Sequence, residues 1–112
     1  MTGAQEVGRV AQIQRAMEMI ESEDQYEAGY ALCWDALTTS EREVLNQLLH
    51  TGPVWDGNVI SKSDRNTLIR IGLAVRCCFK GEAGYTAASY AGLGVFKAGK
   101  AKPFKIKAGS EG

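Results

Sequence analysis

Histidine and proline are scarce in this sequence, with one His and two Pro in 112 residues. Cysteine occurs three times, but Cys33, Cys77 and Cys78 contain no C-x-x-C pair. With only His50 to join them, there is no zinc-ligand spacing and no disulfide framework. The thiols are expected to be reduced, metal-free and structural, which suits a reducing compartment. No apolar run approaches the roughly 18 residues that span a bilayer, so no membrane partner is expected. The opening MTGAQEVGRV lacks the charged-then-apolar plan of a secretory leader. A cytoplasmic location is the expectation.

Net charge is missing as well: 13 basic side chains balance 13 acidic ones. That balance argues against binding a polyanion through bulk charge. The charges are nevertheless sorted along the chain. Residues 1–45 carry Arg9, Arg15 and Arg42 against nine acidic side chains, whereas residues 62–107 carry ten basic side chains against Asp64 and Glu82. The molecule has an acidic first part and a basic second part.

Catalytic constellations are also lacking. Ser40, Ser61 and Ser63 have no His and acid partners of a triad. The glycine-rich GYTAASYAGLG has no lysine and Ser/Thr in phosphate-loop order. Asp56 and Asp64 read as isolated carboxylates without metal-ligand spacing. His50, at a helix C-terminus, suits the last carbonyls better than chemistry. The sequence is therefore expected to be no enzyme and to use no cofactor and no metal.

What is present is helical periodicity. Val7, Val10, Ile13, Met17 and Ile20 recur at three- and four-residue steps and predict an amphipathic helix over about 5–22. Tyr26, Tyr30, Cys33 and Leu37, with Trp34 beside them, predict a second helix to about Ala36. LTTSEREVLNQLLHTGP predicts a third. Thr38 caps its first turn, Glu41 completes a capping box, Val44, Leu45, Leu48 and Leu49 form its buried face, and Gly52-Pro53 ends it. Asp56-Gly57 is a turn dipeptide, and Val59-Ile60 is long enough only for a brief strand or a single turn. Ser61 or Ser63 caps a helix running to about Ile71, closed by Gly72. LAVRCCF reads as a strand, KGEAG as a loop and YTAAS as a returning strand. YAGLGVFKAG predicts a short helix weakened by Gly92 and Gly94. The stretch from Gly99 onward reads as a basic, flexible tail.

The fold class expected is mainly α with a small β-hairpin, an α+β domain. Residues 1–36 form an N-terminal helical extension, 37–98 the main domain and 99–112 the tail. The opening LTTSEREVL resembles the start of the DNA-binding domain of quorum-sensing response regulators, but the residues after Leu45 depart from that family. The run Leu68-Ile69-Arg70-Ile71-Gly72-Leu73-Ala74-Val75-Arg76, then Gly84-Tyr85-Thr86, resembles the signature of winged helix-turn-helix domains. Gly92 and the apolar pair after it are similar to the threonine-x-x-glycine helix start that often closes that motif. The block Trp55 to Arg65, WDGNVISKSDR, is similar to small uncharacterised winged-helix proteins of tailed phages and prophages.

These resemblances imply a recognition helix over about 62–71 and a wing at Lys80 to Gly84. The bracing helix before the recognition helix is reduced to VWDGNVIS, with Trp55 expected to fill its place. On a helical wheel Leu68 marks the core side, and Lys62, Ser63, Asn66 and Arg70 share the opposite arc, with Arg65 at its border. Arg can fork onto guanine, Asn onto adenine, and Lys and Ser contact phosphate. Lys62, Ser63, Arg65, Asn66, Arg70 and Lys80 are thus the candidate residues for binding DNA or a partner. Lys97, Lys100, Lys102, Lys105 and Lys107 would add sequence-independent attraction. Val10, Ile13, Met17 and Ile20 are the candidate interface of a homodimer. The function implied is a DNA-binding phage or prophage transcriptional regulator. The alternative is a phage-encoded winged helix that binds and inhibits a host protein, such as a defence or nucleic-acid-handling enzyme, in the host cytoplasm.

Overall fold

The computed structural model describes the backbone from residue 2 to residue 111 and side chains from residue 8 to residue 100. It is mainly helical with one small antiparallel sheet. The order is α1 (Thr2–Ile20), α2 (Tyr26–Ala36), α3 (Thr39–Thr51), β1 (Val54–Trp55), a 3-10 turn (Asp56–Asn58), α4 (Lys62–Arg70), β2 (Ala74–Phe79), β3 (Glu82–Ala88) and α5 (Tyr90–Glu111). Two compact units result. One holds α1, α2 and the part of α5 from Gly94 onward, and the other runs from Leu37 to Leu93.

In the first unit α1 and α2 pack together as a helical hairpin. Arg9 Nη1 donates to the Ala36 carbonyl at 2.8 Å, and Gln12 Nε2 donates to the Leu32 carbonyl at 3.1 Å. The Arg9 bond satisfies the Ala36 carbonyl, which has no partner within the helix, while the Gln12 bond is a second one to the Leu32 carbonyl, a turn earlier. Ile13, Ala16 and Cys33 are buried, Met17 and Ile20 are half-buried, and Val10 stays open to solvent. The candidate self-association stripe is thus partly used inside the chain. α5 adds aromatic packing, with Trp34 and Phe96 edge-to-face at 6.0 Å.

The second unit is built around α3. Thr38 Oγ1 accepts from the Glu41 backbone N–H at 3.1 Å while Glu41 Oε1 accepts from the Thr38 N–H at 2.9 Å, the capping box read from the sequence. Val44, Leu45 and Leu48 face a core shared with Leu68, Leu73, Ala74, Val54 and Val59. The strands lie in the order β1-β3-β2. Val54 pairs with Thr86, Trp55 with Tyr85, and Ala74 with Ala88. Because side chains alternate across a strand, Val54, Ala74 and Thr86 point to the buried face.

Three features differ from the sequence reading. The sheet has three strands rather than two, because the brief strand falls at Val54–Trp55 and not at Val59-Ile60. A β-branched and an aromatic residue there find an open edge of β3 to pair with. Trp55 does not fill a missing helix in the core; it is 52% exposed. Finally, α5 is not a short helix followed by a flexible tail, but continues to Glu111. Its glycines weaken the helix by propensity yet are demanded by packing. A Cβ on Gly94 would lie 2.4 Å from the Tyr30 ring, and one on Gly99 2.1 Å from the Trp34 ring. Tertiary contact overrides the intrinsic preference.

Candidate functional site

α4 is short, and both of its ends are fixed. Ser61 Oγ accepts from the Asp64 backbone N–H at 3.3 Å at the N-terminus. At the C-terminus Gly72, with φ +93°, allows two back-bonds, Gly72 N–H to the Ile69 carbonyl and Leu73 N–H to the Leu68 carbonyl. That is a Schellman motif, and its apolar partners Leu68 and Leu73 are both fully buried. Ser89 fastens the same corner to α5. Its hydroxyl donates to the Gly72 carbonyl at 2.7 Å and accepts from Gly92 N–H at 3.1 Å. A Cβ on Gly92 would stand 2.3 Å from the Leu73 carbonyl oxygen, so this corner needs glycine.

The bracing element before α4 is only the 3-10 turn, and side chains do the rest. Gln47 of α3 grips the connector with both ends of its amide. Its Nε2 donates to the Asn58 carbonyl at 2.7 Å, and its Oε1 accepts from the Ile60 N–H at 3.0 Å. Asp56 then ties three elements together. Arg76 of β2 donates to it through Nη1 to Oδ1 at 2.6 Å and Nη2 to Oδ2 at 2.9 Å. Arg65 of α4 donates through Nη1 to Oδ1 at 2.8 Å. Arg76 Nη1 also reaches the hydroxyl of Thr86 at 3.2 Å, satisfying a fully buried side chain. The forked hydrogen bonds from Arg76 hold the Asp56 carboxyl below its ordinary value, with further Coulombic pull from Arg76, Arg65 and Lys62; partial burial opposes them. The same contact raises the Arg76 guanidinium.

This geometry sorts the candidate residues. Lys62, Ser63, Asn66 and Arg70 are all exposed and share one side of α4, while Leu68 is buried on the other. Arg70 has no side-chain hydrogen bond or ion pair among the described residues. Arg65 does not join the exposed arc. Its side chain is 11% exposed and committed to Asp56. Arg65 Nε and Nη2 also donate to Asn66 Oδ1, at 3.0 and 2.9 Å. The Asn66 oxygen is therefore occupied, and its amide N–H groups face outward as donors. In that state Asn66 suits an acceptor such as phosphate or a guanine edge, and not the two-way fork onto adenine.

Lys80 sits at the tip of the β2–β3 hairpin, in a two-residue turn with Gly81. Both have positive φ, +54° and +81°, as a type I′ turn requires. The expected KGEAG loop is thus mostly strand, since Glu82 already belongs to β3. Lys80 Nζ lies 5.4 Å from the centre of the Phe79 ring. Lys97 and Lys100 are exposed on α5, while the side chains of Lys102, Lys105 and Lys107 lie outside the described residues.

No family model, curated protein or solved structure matches this chain. Among the described residues there is no cluster of three or more potential metal ligands. Among the same residues no helix is long and apolar enough to cross a membrane.

Sequence reasoning missed Gln47, Asp56 and Arg76 as organising residues. A signal for Arg76 was present: in AVRCCF it shares the strand face of buried Ala74, and an arginine facing inward calls for a carboxylate. Nothing local in the sequence pointed to Gln47.

Proposed function

We propose that Leu37–Leu93 is a winged helix that binds duplex DNA through α4, and that the chain is a cytoplasmic phage or prophage regulator without catalytic activity. The element order supports this reading: helix, short strand, turn, helix, then a tightly turned hairpin that closes a three-stranded sheet. Within it α4 is the recognition helix and the β2–β3 hairpin is the wing. The observation that carries the proposal is a division of labour on α4. Arg65 is spent on holding the helix, while Lys62, Ser63, Asn66 and Arg70 are left to solvent on one side. A surface of two cations and two hydrogen-bonding side chains matches a phosphate-lined groove. Lys80 at the wing tip adds a contact to the backbone.

Fluorescence anisotropy with mixed-sequence duplex DNA at about 50 mM salt tests it, because non-specific affinity is strongest at low salt. Binding that weakens steeply with added salt supports the reading; no binding at that salt ends it.

A second reading, in which α4 docks on a host protein, is favoured by one feature. Ile60, immediately before the Ser61 cap, is 63% exposed beside Lys62. An apolar side chain at that place fits a protein partner better than a phosphate.

A further inference from the structure

The two faces of the sheet have different fates. The inner one is filled by Val54, Ala74 and Thr86. The outer one carries a row running across all three strands, Trp55 beside Tyr85 beside Cys77, with Val75 opposite Ala87 in the next row. The Phe79 and Tyr85 rings meet at 5.4 Å on this side. Trp55 is 52% exposed, Val75 46% and Phe79 36%. The indole is held in place, because a Cβ on Gly57 would stand 2.0 Å from it and one on Gly84 3.8 Å. A contiguous, ordered aromatic patch is open to water.

We propose that this outer sheet face is a self-association surface that takes a second copy of the chain. The argument for that occupant is charge. Lys80 and Glu82 stand together at the hairpin tip, and Glu82 lies opposite Phe79 in the strand register. Neither makes an ion pair among the described residues. A two-fold axis running along the hairpin lays β2 over the partner's β3, which sets Lys80 against the partner's Glu82. The contact is made twice, and each face supplies both signs. A nucleic acid backbone is a poor occupant of the face itself, because its exposed side chains Trp55, Val75 and Phe79 offer phosphate no cation.

The size of the patch sets the strength. Three strands about 4.8 Å apart and five residues at about 3.3 Å cover roughly 14 by 17 Å. That is well below the roughly 800 Å² per partner of a standard stable interface, so association is reversible and concentration-dependent.

Sedimentation of the full chain from about 10 µM to about 1 mM tests the proposal, a range chosen to bracket weak affinities. The mean mass of the wild type should rise from monomer toward dimer. Val75→Lys, at a half-exposed position, should remain monomeric with an unchanged circular dichroism spectrum and melting curve. Lys80→Glu alone and Glu82→Lys alone should each weaken association roughly five- to tenfold, two exposed ion pairs being lost together. An equimolar mixture of those two variants should associate at least as well as the wild type, because each restores the other's missing sign. A wild type that stays monomeric at about 1 mM overturns the proposal and leaves the face to an unrelated protein. Dimerisation undiminished in Val75→Lys also overturns it, and places the contact on another surface.

Discussion

Asp56 and Arg76 lie twenty residues apart and are joined by two parallel hydrogen bonds, of 2.6 and 2.9 Å. Arg65 adds a third bond to the same carboxylate, so a turn, a helix and a strand converge on one acidic group. The loss of each partner should therefore have a different consequence. Removing Arg76 leaves Asp56 one-third exposed and still paired to Arg65. Removing Asp56 leaves the nearly buried Arg65 guanidinium without its counter-charge, which is the more costly outcome. Chemical denaturation at neutral pH should rank Asp56→Ala below Arg76→Ala in stability. Equal loss in the two would mean that the carboxylate does not organise the three elements.

The same carboxylate predicts a pH dependence. Its folded-state pKa lies below the ordinary 3.8. A depressed carboxyl stabilises the fold at every pH above the ordinary value, and that contribution disappears as pH falls through the folded-state value. The stability gap between wild type and Asp56→Asn should hold from neutral pH down to about 4 and narrow below it. A gap that stayed constant to pH 2 would show that the charge on Asp56 is not what holds Arg65 and Arg76.

Lys80 occupies a left-handed conformation that Asn or Gly adopts more easily. Lys80→Asn should therefore hold or raise stability, by up to roughly 1 kcal/mol, less what the Phe79 contact contributes. If DNA binding weakens in the same variant, Lys80 has been kept at the tip for contact and not for the turn. Thermal melting and anisotropy on one preparation separate the two effects.

The glycines of the first unit divide by surroundings. A Cβ on Gly8 would meet nothing within 4 Å, while one on Gly99 would strike the Trp34 indole. Gly8→Ala should stabilise by about 0.5–1 kcal/mol through helix propensity alone. Gly99→Ala gains the same propensity but must displace a ring, which typically costs about 1–3 kcal/mol. The net sign should be destabilising. Opposite signs in two otherwise identical substitutions are the expected result of thermal melts.

The parts legible in the sequence are those fixed by local chemistry. α2 and the capping box of Thr38 and Glu41 follow from spacing and caps within a few residues. The same holds for the stop at Gly72, where a left-handed residue lets Leu73 reach the Leu68 carbonyl. The exposed arc of α4 followed from its 3.6-residue period. What escaped was decided at a distance. β1 exists because β3 offers it an edge, and α5 keeps its glycines because Leu73, Tyr30 and Trp34 crowd them. Arg65 sat at the edge of the helical wheel, and only Asp56, folded under it by the turn, draws it away from the exposed arc. Propensity read Asp56-Gly57 as a turn and said nothing of the two arginines it would collect.

The two arginines of α4, Arg65 and Arg70, should respond differently to removal. Arg70 is exposed and unpaired among the described residues, so Arg70→Ala should leave stability within about 0.5 kcal/mol of the wild type. If its guanidinium forks onto a base edge, the same substitution should cost roughly 1–3 kcal/mol in DNA affinity, and more on a selected sequence than on random duplex. Arg65→Ala should behave in the opposite way. It removes the bond to Asp56 and frees the Asn66 oxygen, so the fold should melt earlier. Its effect on affinity should follow the loss of a held helix and should not discriminate between sequences. Asn66→Ala removes the outward donors together with the oxygen that Arg65 Nε and Nη2 hold, so it should weaken binding with a small loss of stability. A loss equal on all duplexes assigns the donors to phosphate, and a sequence-dependent one to a guanine edge. Anisotropy titrations and thermal melts of the three variants together give a pattern that no general loss of positive charge reproduces. Should Arg65→Ala and Arg70→Ala lose affinity equally at unchanged stability, α4 would be acting as a charged rod, and the division of labour proposed for it would be wrong.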